Sequence, residues 1–64
     1  MKAKELLKKL DENIIITITD ANHRLIYRGQ AGDIEEKEWT KTLNSDVIYI
    51  PMIIDNELTI VISL

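Results

Sequence analysis

Few side chains in this 64-residue sequence are of types that do chemistry, and their spacing argues against most of it. His23 is the only histidine, and there is no cysteine. A general base needs a pocket and a partner that orients it. His23 instead falls in Asp20-Ala21-Asn22-His23, which reads as a hairpin tip. One histidine and no thiolate leave only carboxylates as metal ligands, and no segment has the alternating-oxygen spacing of a calcium loop. The sequence therefore predicts no catalytic residue, no metal and no cofactor.

Three charged or glycine-bearing stretches invite further readings. Asp33, Glu35, Glu36 and Glu38 form the densest acidic run. The run reads either as a patch for a basic partner or as a helix N-terminus, where carboxylates cap amides and offset the dipole. Gly29-Gln30-Ala31-Gly32 has the GxxG form of KH-type RNA-binding loops. It contains no basic residue, however, and a phosphate there would meet the acidic run that follows. Tight chain reversals at the two glycines are the simpler expectation. Lys2, Lys4, Lys8 and Lys9 crowd the first ten residues, as the solvated side of an amphipathic helix would. With a net charge of −3 and no aromatic cluster for base stacking, nucleic acid is not an expected ligand.

The elements that would position these residues follow from periodicity. Ala3, Leu6, Leu7 and Leu10 recur at three and four, which predicts a helix over 2–10 with one apolar stripe. Ile14 to Thr19 is a β-branched strand, and Arg24 to Arg28 returns after the hairpin tip. Asp33 and Glu36 stand at capping-box spacing for a helix from Ile34 to about Leu43, although its apolar set is sparse (Ile34, Trp39 and Leu43) and a single turn plus irregular chain is the alternative. Val47 to Ile54 is almost wholly apolar around Pro51. Asp55-Asn56 reads as a tight turn of positive φ, and Leu58 to Leu64 closes the chain. The order is α-β-β-α-β-β. This predicts an α+β fold: a four-stranded, mainly antiparallel sheet from two hairpins, with helices packed on one face. Residues 1–64 form a single domain in this reading, since no linker or low-complexity segment divides them.

Composition agrees. Twelve Ile, seven Leu and two Val make a third of the chain, with no Phe, which favours a sheet with a compact aliphatic core. A chain this short buries only about 60% of its unfolded surface. Small secreted domains usually add disulfides, so the absence of cysteine predicts a cytoplasmic protein. No apolar run approaches the length that spans a bilayer, and no membrane association is expected.

The most informative feature is the second sheet face. If helices cover Ile14, Ile16, Ile18, Leu58, Ile60 and Ile62, the opposite face carries Ile15, Ile26 and Val61 and one set from the third strand. That set is either Val47, Tyr49 and Ile53 or Ile48, Ile50 and Ile54. Neither leaves a polar face, so a covering partner is expected. Because Pro51 interrupts an edge's donor row, the predicted contact is face-to-face stacking of a homodimer or a protein partner through Ile15, Ile26 and Val61.

The stretch Tyr27-Arg28-Gly29-Gln30-Ala31-Gly32-Asp33-Ile34, followed by an apolar hairpin, resembles small uncharacterised proteins carried on conjugative elements and prophages of low-GC Gram-positive bacteria. The likeness extends to size and to the opening leucine-rich helix. Where that family's pattern often continues with Pro, this chain has Glu35. The resemblance implies a cytoplasmic accessory protein of a mobile element and carries no functional residue with it. The favoured expectation is a non-catalytic protein-interaction module, not an enzyme. The alternative is an acidic, antitoxin-like inhibitor that blocks a nucleic-acid-binding partner.

Overall fold

A computed structural model describes all 64 residues, Met1–Leu64. Its elements are α1 (Ala3–Lys8), β1 (Ile15–Asp20), β2 (Leu25–Gln30), a single 3-10 turn (Ala31–Asp33), α2 (Thr40–Leu43), β3 (Asp46–Ile54) and β4 (Glu57–Ser63). The fold is the expected small α+β domain, with one four-stranded sheet in the order β2-β1-β4-β3. Both hairpins are antiparallel, while the central strands β1 and β4 run parallel.

Those central strands carry the core because each has a neighbour on both sides. Ile18 lies opposite Ile60 and Ile16 opposite Leu58, and opposite residues share a face. Ile16, Ile18, Ile60 and Ile62 are the largest side chains fully removed from water. Ala3, Leu6, Leu7 and Leu10 of the first helical segment pack on this cluster, as their spacing predicts. The chain start is also pinned to the sheet. The Val47 amide donates to the Met1 carbonyl at 2.8 Å, the Ala3 amide donates to Ser45, and Lys2 pairs with Asp46 at 3.2 Å. At the head of α1, the Glu5 carboxylate accepts from the Lys2 amide at 3.3 Å.

Of the two readings of 34–43, the continuous helix is not formed and the single turn with irregular chain is. The chain makes a 3-10 turn at 31–33, extends at Ile34 (φ −77°, ψ 117°), and forms only one α-helical turn at Thr40–Leu43. Helix geometry explains this. At 100° per residue, a continuous helix would place Leu43 about 180° around from Ile34, so only one of them could face the sheet. Breaking the helix buries Leu43 and half-buries Ile34. It also brings Trp39 edge-on to Tyr27, with ring centroids 5.3 Å apart. Asp33 ends the 3-10 turn and caps no helix; the residue before α2 is Trp39. Nor does the Asp55-Asn56 turn use positive φ, since His23 alone among non-glycine residues has it.

Tyr27 adds a pH dependence. Its hydroxyl donates to the Gln30 carbonyl at 3.0 Å. Burial, assisted by the negative charge of Asp33, raises its pKa above the ordinary 10.0. The folded chain therefore holds this proton where the unfolded chain has released it, so stability falls as pH rises above 10. In Tyr27→Phe, the alkaline limb of a stability-versus-pH curve should flatten, while the neutral-pH stability shifts by only about 1 kcal/mol.

Candidate functional site

Two of the chemistry-bearing residues, Asp20 and His23, shape one turn. His23 is exposed at the β1–β2 tip with φ 65°, and its amide donates to the Asp20 carbonyl. The Asp20 carboxylate staples the same tip, accepting from the amides of Asn22 at 2.8 Å and Arg24 at 3.0 Å. Asp20→Ala should therefore cost about 1 kcal/mol, read as a lower urea midpoint at unchanged slope. No group of acidic or imidazole side chains is arranged to hold a metal ion.

The GxxG stretch also has a packing explanation, different from the expected reversals. Neither glycine takes positive φ. A Cβ on Gly32 would lie 2.6 Å from the Cβ of Glu12 and 3.1 Å from its carbonyl oxygen. Gly32 is thus needed because the 3-10 turn presses on the chain leaving α1, where its amide bonds Glu12 at 2.9 Å. At Gly29, Tyr27 occupies the space a side chain would take, its hydroxyl 2.9 Å from the Cβ position.

Asp33, Glu35, Glu36 and Glu38 are all exposed and form no ion pair. A shallow cleft of about 190 Å³ between α1 and α2 is floored by Leu7, Ala31, Ile34 and Leu43. It falls below the roughly 300–1,000 Å³ of small-molecule pockets. No helix is long and apolar enough to cross a membrane.

The three expected contact residues do not assemble into one open patch. Val61 is 2% exposed, flanked across the sheet by Thr19 and Tyr49. Ile26 is the extra residue of a β-bulge and packs against the core cluster. Ile15 is half-buried beside Glu57. Elsewhere on that face around β1 and β2, Arg28 bonds the Thr17 hydroxyl at 2.7 Å and the Glu57 carboxylate at 2.9 Å, and Leu25, opposite Thr19, is exposed.

The open apolar surface is β3. Its register against β4 slips twice, between Val47 and Tyr49 and between Tyr49 and Met52. Each slip inserts a residue and inverts which side chains face the core. Val47 and Ile53 therefore share the core face with Ile62 and Leu58. Tyr49, Met52 and Ile54 share the outer face with Val61, Thr59 and Glu57. The third strand follows neither of the two alternations open to it in the sequence. Ile50 and Pro51 together occupy the place opposite Ile60, on the core face. Ile48, Tyr49, Ile50, Met52, Ile53 and Ile54 are all 37–72% exposed. Together they leave the equivalent of about three whole side chains in water, which forgoes about 5–9 kcal/mol of burial. That is comparable to the entire stability of a small domain.

Comparison with known protein families, curated proteins and solved structures finds no match to the chain.

Proposed function

We propose that this chain is a small non-catalytic protein-interaction module that works through β3. The observation that carries the reading is an edge strand without a charged residue from Val47 to Ile54, whose every side chain from Ile48 onward is exposed. Edge strands in monomeric proteins are ordinarily short, charged or covered. β3 is the longest strand in the sheet, and only its first two residues lie beside another segment. The other edge, β2, is shorter and exposes only Leu25 among its large apolar residues. The cost of bringing two chains together is about 4–15 kcal/mol, and burying β3 on a partner's apolar surface offsets the lower part of that range. The mobile-element resemblance supports an accessory role in the cytoplasm, without enzymatic activity.

A photo-crosslinking amino acid at position 53, compared with one at Lys37, tests the reading inside cells that express the chain naturally. The expected result is a discrete adduct from position 53 and none from 37. Equal labelling at both positions, or no adduct at 53, contradicts it.

A second reading is favoured by the acidic stretch, whose carboxylates cap nothing. An inhibitor of a nucleic-acid-binding protein would dock a basic surface there. Adducts from position 37 that vanish at high salt would support that reading over β3.

A further inference from the structure

We propose that the cleft between α1 and α2 docks a segment of a partner protein that carries a large apolar side chain next to a carboxylate. The apolar group enters the cleft, and the carboxylate meets Lys4 and Lys8. No residue of β3 lines this cleft, so the surface goes beyond the β3 reading and does not rest on it.

The cleft exists because the second helix is broken. With only one turn in α2, α1 is not covered along its length, and Leu7 stays half-buried at the cleft with Ile34. At about 190 Å³ the space is too small for an ordinary metabolite. It suits one leucine, isoleucine, methionine or phenylalanine side chain. Because the floor is apolar, such a group is stabilised there by leaving water.

Charge selects what accompanies that group. Lys4 and Lys8 both line the cleft and stand four apart, on one side of α1. Neither takes part in an ion pair; the paired cations are Lys2, with Asp46, and Arg28, with Glu57. Two ammonium groups one turn apart repel, which weakens a short helix. Lys8 stands in the last turn of α1, where a cation suits the dipole. Lys4 has no such reason. It is half-buried in the first turn, where the dipole favours acid over base.

A carboxylate set between the two ammonium groups relieves their repulsion and supplies the partner that each lacks. Glu36 lines the opposite wall, also unpaired, and repels a carboxylate there. The acid of the docking segment therefore lies on the α1 side, which sets the direction in which the segment crosses the cleft.

The test selects random peptides displayed on phage against the whole immobilised chain. A selected peptide, made synthetically, is then titrated into the chain and followed by methyl NMR. Selected sequences should share Asp or Glu beside Leu, Ile, Met or Phe. The peptide should shift the methyl signals of Leu7, Ile34 and Leu43 and leave those of Ile53 and Ile54 in place. Lys4→Glu removes the cation yet suits the first turn of α1. It should fold as the parent does and bind about tenfold more weakly, while Lys4→Arg keeps the parent's affinity. Ile53→Lys, at a position 72% exposed and outside the cleft, should bind like the parent. No enriched peptide, enriched peptides without an acid, or equal binding by Lys4→Glu would each overturn the proposal. Methyl shifts confined to β3, with binding lost in Ile53→Lys, would overturn the cleft and leave the β3 reading standing.

Discussion

Ile60→Ala is expected to lower stability by about 2–5 kcal/mol, the cost of a buried isoleucine removed together with the cavity it leaves. Ile60 is fully buried on a central strand, between Ile18 on β1 and the Ile50-Pro51 bulge of β3. In a 64-residue domain whose whole margin is several kcal/mol, that loss unfolds a substantial fraction of the molecules at room temperature. Chemical denaturation followed by far-ultraviolet circular dichroism measures it. Ile16→Ala should behave alike, because Ile16 sits in the same fully buried set. The control is Ile53→Ala, the same substitution at a position that is mostly in water; its midpoint at low concentration should scarcely move. A midpoint for Ile60→Ala that matches this control would mean that the core lies on the other face of the sheet.

Gly32→Ala is the second large effect, at about 1–3 kcal/mol. Its cause is crowding, since φ at Gly32 is not positive. The added methyl meets the Cβ and the carbonyl of Glu12, which are main-chain and near-main-chain atoms that cannot rotate away. Relief requires the 3-10 turn to lift from the α1–β1 connection, and that breaks the Gly32–Glu12 hydrogen bond and strains the neighbouring bond from Ala31 to Ile14. Gly29→Ala should cost less, because the atom it meets is the far end of the Tyr27 ring. If Gly32→Ala were as stable as the parent, the close approach of these two segments would be wrong.

The parts of the fold legible in the sequence are those where a single periodicity runs unbroken. Ile16 and Ile18, and Leu58, Ile60 and Ile62, alternate along strands that do not slip, and their face follows from the period of two. Ala3, Leu6, Leu7 and Leu10 likewise mark one helical stripe, although the helix is shorter than its stripe. The stretch 34–43 was opaque for a geometric reason. The Asp33-to-Glu36 spacing imitates a capping box, and only the angular separation of Ile34 from Leu43 reveals that one helix cannot serve both. That separation can be read from the sequence.

β3 was harder. Val47 to Ile54 is apolar at every position but Pro51, so no alternation exists to show that the register slips twice. The bulges then decide what the candidate site is. They place Val47 and Ile53 on one face and Tyr49, Met52 and Ile54 on the other, so the open surface becomes the strand itself and not the flat patch around Ile15 and Val61. Val61 shows the same limit from the other side. Its outward place in β4 is legible, but its cover by flanking neighbours depends on the strand order, which period alone does not supply.

Hydrogen exchange at individual amides of the chain, followed without and with a crosslinked partner added, tests the central claim most directly. That claim is that β3 is the open and working edge of the sheet. In dilute solution, amides of Ile48 to Ile54 on the free edge should exchange much faster than those of β1 and β4, which have neighbours on both sides. With a crosslinked partner added, protection should rise within Ile48 to Ile54 and stay constant across β2 and the helices. Protection that appears instead along Asp33 to Glu38 while β3 exchange is unchanged would contradict the account.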